Sequence, residues 1–238
     1  TREIMSGLGL LIENGIIDVT SDLNDVIRKG LDYLDSYYYK RYDVKEKPKS
    51  LGYEELSYLL IRSYFQAYPF GGTTKASHQY FTRLADMQDT HDLNLYFRAQ
   101  LALLMARTGK EEQARHTAAT LVERSLYSDE MGRYWRDNAG GYYWYDAPIE
   151  TQALIIRMLL STGFRTQAVE AARWLLKQKQ TTGWGSGPAT AAAVTALMAT
   201  GGNTWLVSDP DITIYVGKDA IKASTSRATA GYTTQTWQ

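Results

Sequence analysis

The chain contains no cysteine. That excludes disulfides, thiolate metal sites, and any cysteine nucleophile or thioester within these residues. Proline is scarce, five in 238 residues, and net charge is nil, 26 Lys and Arg against 26 Asp and Glu. A balanced chain whose longest basic run is Lys40-Arg41 has no broad cationic face to displace counterions from phosphates, so no nucleic-acid partner is expected. No stretch approaches the ~18 uninterrupted apolar residues of a membrane span. GxSxG, P-loop, GxGxxG and HExxH patterns are all missing.

What is present is a globular composition, 44% hydrophobic and 22% charged, rich in tyrosine (18) and tryptophan (6). Its 26.9 kDa suit one large domain or a domain with an appendage. The chain opens at Thr1 in mid-pattern, since "TREIMSGLGLLIENG" already carries Ile4, Leu8, Leu11 and Ile12 on one helical face. The expectation is a piece of a longer protein, with any secretion signal or anchor outside it.

Helical periodicity runs to about residue 200. After the first segment, Ser21-Asp22 opens a helix to about Tyr42. The polar "DVKEKPKS" is a loop, and "YEELSYLLIRSYFQAY" is a third helix that Pro69 and Gly71-Gly72 should end. Further helices are expected near 73–87, 93–107, 110–126, 148–162, 165–180 and 188–200. Apolar helices stop at Asn14-Gly15, Thr108-Gly109, Thr162-Gly163 and Thr200-Gly201, with Gly71-Gly72 in the analogous place. The stops lie roughly 40 to 55 residues apart, the range of helical-pair repeats.

Segments before the middle stops ("YFRAQLALLMAR", "TQALIIRMLL") are apolar, and those after ("KEEQARHTAATLVERS", "FRTQAVEAARWLLKQKQ") are amphipathic. Helices apolar all round belong inside and amphipathic ones outside. The pattern predicts a mainly α fold, an α/α toroid of about four to five helical hairpins occupying 1–203. Beyond Gly202, "DITIYVG", "DAIKAS" and "GYTTQTW" alternate as strands, so 204–238 are expected to belong to an adjoining β-sandwich domain.

Candidate chemistry is sparse. His78, His91 and His116 lack ligand spacing and are expected at the surface or at helix ends; no metal or cofactor is expected. Asp209-Pro210-Asp211 suits a turn. The richest segment runs from Tyr134 to Gln152. There Trp135, Tyr142, Tyr143, Trp144, Tyr145, Asp146 and Glu150 form a candidate contact surface. One reading is a sugar or peptide subsite, rings stacked on a ligand and Asp137, Asp146 or Glu150 as acid and base. The other is structural: a hairpin whose rings cover the helical ring, with Asp146 or Pro148 opening the next helix and Glu150 in its first turn. In "ARWLLKQKQTTGWGSGPAT", an indole from Trp184 packed on the glycine loop would fix a junction between helices.

The run from "YDAPIETQALIIRMLLSTG" through "AVEAARWLLKQKQTTGWGSGPATAAAVTALMATG" resembles the end of the thioester-containing domain in the alpha-2-macroglobulin and complement family. That domain has an aromatic stretch, a "VEATxYxLLAL"-like helix, an "IVxWLxxQ" helix, a glycine-aromatic-glycine turn and a final inner helix. The large bacterial members are most similar, through aromatic-Asp-x-x-Ile-Glu-Thr-Gln. "LALLMARTGKEEQARHTAATL" is similar to the preceding pair, "MSGLGLL" resembles an earlier inner helix, and "DITIYVGKDAI" looks like re-entry into the β-sandwich.

The resemblance implies a broad-range protease trap in which bait cleavage triggers collapse around the protease. It also implies an extracytoplasmic location, periplasmic or anchored to the cell envelope. The family's Cys-x-Glu-Gln thioester has no place in a chain without cysteine, and residues 40–50 hold no counterpart of its histidine. This chain is therefore expected to be a structural and conformational module and no enzyme. Its partners would be the parent's other domains, with proteases as targets of the whole protein and no membrane insertion of its own. Terpene cyclases and prenyltransferase β-subunits share such a ring. Gln178 and Gly183-Trp184 approach the cyclase pattern, but the DxDD donor and the zinc set are missing. The alternatives are a carbohydrate-active (α/α)6 domain and a helical-repeat interaction scaffold.

Overall fold

The computed structural model describes residues 1–90, 93–142, 146–179, 183–201, 213–216 and 219–222. The chain is mainly helical and divides into two units, Thr1–Thr200 and Gly201–Gln238. Four helical hairpins make up most of the first: α1 (Arg2–Glu13) with α2 (Ser21–Tyr42), α3 (Tyr53–Tyr64) with α4 (Lys75–Met87), α5 (Leu95–Arg107) with α6 (Glu111–Glu123), and α7 (Pro148–Ser161) with α8 (Arg165–Gln178). A short antiparallel hairpin, β1 (Leu126–Ser128) and β2 (Gly132–Tyr134), separates α6 from α7. A final helix, α9 (Gly187–Gly201), follows α8.

Burial separates inner from outer helices. In α3 every residue from Glu55 to Ser63 is buried, in α5 every residue from Arg98 to Met105, and in α7 every residue from Thr151 to Ile156. These helices have no water-facing side along those stretches. The outer helices bury one stripe: Ala114, Thr117, Ala118 and Leu121 in α6, and Ala168, Ala171, Ala172 and Leu175 in α8. Both follow the i, i+3, i+4, i+7 spacing of a helix with one face inward. The alanines in these stripes keep each outer helix close to its partner.

The inner helices run side by side in one direction, because starts meet starts and ends meet ends. Arg2 pairs with Glu54 at 3.5 Å and lies over the Tyr53 ring, which in turn packs on Tyr96 and Phe97. At the other end, Arg107 pairs with Glu13 and donates from Nε to the Ser63 hydroxyl at 2.8 Å. Helices α1, α5 and α7 end alike. Gly15, Gly109 and Gly163 take φ of 64°, 80° and 85°, and the next residue donates back to the carbonyls of Leu11, Met105 and Leu159. This six-to-one bond defines the Schellman cap, and its left-handed residue strongly favours glycine.

Helices α1 and α9 border a single cavity together with α3, α5 and α7, so the last inner helix returns beside the first. They are less buried than the three between them, with Met5 and Gly9 inward in α1 and Ala189, Ala193, Ala196 and Thr200 in α9. A seam between them is lined by Leu11, Ile16, Val194 and Met198. That return argues against an open superhelical scaffold.

Two expectations need correction. Helix α3 stops at Tyr64, before Pro69 is reached, because Phe65 leaves the helix at φ −119°, ψ 38° and is buried as a wedge. The strands β1 and β2 fall upstream of the aromatic run, in a segment expected to be helix end and loop. In the second unit, β3 (Thr213–Val216) pairs antiparallel with β4 (Asp219–Lys222), Thr213 opposite Lys222. The expected third strand, 231–237, lies outside the described residues.

Candidate functional site

The central cavity, about 400 Å3, is bordered by all five inner helices. Its lining combines Glu3, Arg2, Tyr53, Tyr96, Glu150 and Arg157 with an apolar floor from Leu10, Leu60, Ile61 and Leu154. Glu3 and Glu150 reach it from the first turns of α1 and α7. Burial pushes the Tyr96 phenol well above its ordinary range, aided by Tyr53 beside it. Tyr38, buried between α2 and α3, is pushed up to about 12 by burial, which the nearby Arg2 opposes.

Tyr64 organises the opposite end. Its ring packs on Gly9 of α1, where any Cβ would come within 2.7 Å of the ring. The guanidinium of Arg107, from α5, lies 4.0 Å from the ring centroid, and Arg157, from α7, donates to the phenolic oxygen. One side chain thus joins four inner helices. Side-chain donors also satisfy carbonyls exposed at helix ends: Arg107 Nη2 bonds Ser63 O at 3.3 Å, Gln66 Nε2 bonds Arg107 O at 3.0 Å, and Arg165 Nη2 bonds Thr200 O at 3.2 Å.

The described residues of the aromatic segment differ in exposure. Trp135 is buried at 4% exposure, and its indole N–H donates to Leu121 O at 2.7 Å, so its role is packing. Tyr142 is 95% exposed. Tyr143, Trp144 and Tyr145 lie outside the described residues. Asp146 sits against Gly141, where an added Cβ would have to displace its carboxylate. Pro148 opens α7 and places Glu150 in the first turn. Asp137 is exposed and, like Asp146, does not border the central cavity; the carboxylate that shares the cavity with Glu150 is Glu3.

Sequence reasoning missed Gln152, which is fully buried. Its amide donates to Arg133 O at 2.8 Å and Ala171 O at 3.1 Å, tying α7 to β2 and α8. The signal available was its polarity within "TQALIIRMLL". His116 is exposed as expected, and His91 lies outside the described residues. His78 lies in the first turn of α4, half-buried against Phe70 and Tyr58. Among the described residues no group of three or more His, Cys, Asp or Glu could hold a metal ion. No protein-family profile matches the sequence, and no curated protein is significantly similar to it.

Proposed function

We propose that this chain is a structural and conformational module of a bacterial alpha-2-macroglobulin-like, broad-range protease-trapping inhibitor. The observation that carries the reading is the glycine-closed ring of parallel inner helices, in which the segment from Asp146 to Trp184 supplies one hairpin and the turn into the next. With no cysteine in the chain, the module lacks a covalent step and acts by changing its contacts with the parent's other domains. The parent is placed outside the cytoplasm by the same proposal; among the described residues no helix is long and apolar enough to cross a membrane.

The test mixes the full-length protein carrying this chain with an endoprotease, then assays a large protein substrate and a small peptide substrate. Trapping predicts strong loss of activity on the large substrate and retention on the small one. Equal inhibition of both, or of neither, defeats the proposal. A second reading, a carbohydrate-active barrel, draws support from Glu3 and Glu150 sharing one cavity with Tyr53 and Tyr96. It requires glycoside hydrolysis that Glu150→Gln abolishes.

A further inference from the structure

A second cavity, of about 500 Å3, lies between the α3/α4 hairpin and the α5/α6 hairpin. Its floor is apolar, made by Leu59, Leu101, Leu104 and Met105. Its rim carries the ion pair of Lys110 with Asp86, both partly open to water. The volume falls in the range of small-molecule sites, roughly 300–1,000 Å3, and the lining has the expected mixture of many apolar groups and a few placed polar ones.

The polar group at its wall is Arg62, only 3% exposed. Its Nε faces Asp35 at 3.4 Å, its Nη2 donates to Tyr68 O at 3.3 Å, and its guanidinium lies 3.7 Å from the Phe70 ring centroid. Nη1, like Nε, is buried with no hydrogen-bond partner among the described residues, and so is the Oδ2 of Asp35. A buried guanidinium edge left unsatisfied is costly, and a carboxylate is the ligand group that suits it best. Asp35 meets Arg62 at Nε through Oδ1, the same oxygen that accepts from the Tyr58 hydroxyl at 2.8 Å one turn earlier on α3. His78, also on the wall, is held neutral down to about 4 by burial and by Arg62 and Lys75. Of the lining cations, Lys110 pairs with Asp86 within the wall, while Arg107 and Arg62 meet Glu13 and Asp35 from outside it.

We propose that this cavity binds a small amphipathic carboxylate, its apolar body against Leu101, Leu104 and Met105 and its carboxylate on the Nη1 edge of Arg62. The site is separate from the central cavity and does not depend on the trapping role.

The probe is decanoate, compared with decanol and decyltrimethylammonium, titrated into the 238-residue chain with methyl-labelled methionine and alanine. Binding is followed by NMR, with intermolecular contacts read at Met105 and Ala85, both on the cavity wall. The expected result is decanoate at least ten-fold tighter than decanol, no binding of the cation, and contacts at both methyls. Thr82→Trp, which fills the cavity without altering Arg62, should weaken decanoate at least ten-fold. Asp35→Asn with Arg62→Met should remove the preference for the acid over the alcohol. Should either variant fail to fold, the wild-type ranking and contacts still decide. Equal binding of acid and alcohol, no binding of decanoate, or contacts confined to other methyls overturns the proposal.

Discussion

Two junctions between neighbouring hairpins differ in what fills them. Between the α5/α6 and α7/α8 hairpins the chain inserts β1 and β2, and β2 packs along α8. Arg133 donates to Glu170 at 2.7 Å, Gln152 bonds the β2 backbone, and the Trp135 indole closes on the last turn of α6. Between the α3/α4 and α5/α6 hairpins no strand is found among the described residues, and the cavity walled by Arg62 and His78 remains. The next turn repeats the first solution: Trp184 donates its indole N–H to Leu175 O at 2.6 Å, near the end of α8. Outer helices α6 and α8 are thus each latched by a tryptophan from the following loop. The lesson is that similar inner helices accept different outer fillings, so departures between hairpins are where specific properties are located.

The largest expected effect comes from emptying the filled junction. Trp135→Ala removes a buried ring and its hydrogen bond and should cost about 4 kcal/mol, lowering Tm by about 10 °C in calorimetry. A loss near zero would mean that the insert contributes nothing to the junction. At the open junction, Arg62→Met strands the Asp35 carboxylate and should cost about 3 kcal/mol, most of it recovered in the double variant with Asp35→Asn. Absence of recovery in a denaturant-unfolding cycle would mean the two charges do not depend on each other.

Glycines sharpen the contrast next. Gly132, at φ 75°, is pressed against α8, so a Cβ would collide with the Glu170 carbonyl, whereas Gly109, at φ 80°, faces open space. Gly132→Ala should therefore cost about 3 kcal/mol and Gly109→Ala about 1, since only the latter is confined to backbone strain. Equal urea midpoints would remove the steric argument.

The smallest effect is a pH dependence belonging to the open junction. The neutral form of His78 is favoured in the fold, so as pH falls from 6.5 to about 4 the unfolded chain takes up a proton that the folded chain refuses. Stability contributed there is full above 6.5, declines through this window by about 2 kcal/mol once solvent access is allowed for, and levels off below about 4. Asp35 acts oppositely, because burial raises its carboxyl and the fold takes up that proton first, despite the Tyr58 hydrogen bond and Arg62. The difference between wild type and His78→Phe isolates the histidine, and a difference independent of pH would disprove it.

Helix order, glycine caps and the role of Trp184 were legible because each depends on a few neighbouring residues. Gly109 and Gly163 punctuate periodic segments, and "GWG" places an indole directly after an amphipathic helix. The β1–β2 hairpin was not legible, since β1 is exposed at all three positions and shows no alternation. Nor were Glu55 and Arg62 of α3. A helix buried on every side has no polar face, so periodicity cannot say which polar residue has a partner on a neighbouring helix. The packing role of Trp135 could not be told apart from a surface one within its own polar segment, because the carbonyl that holds it, Leu121 O, comes from the preceding helix.

The shared direction of the inner helices has an electrical consequence. In an up-and-down bundle neighbouring helix dipoles oppose one another, but here α1, α3, α5, α7 and α9 add theirs along one axis, each equivalent to roughly half a charge at its ends. Arg107 stands at the negative pole, paired with Glu13, and Glu3, Glu54 and Glu150 stand at the positive one, where Glu54 is paired with Arg2 and Arg41. The acids at the helix starts and Arg107 at a helix end thus face the backbone charge they offset, while ion pairs balance side-chain charge at both rims. What remains unbalanced is the backbone itself, whose summed dipole has one sign at the helix starts and the other at the helix ends.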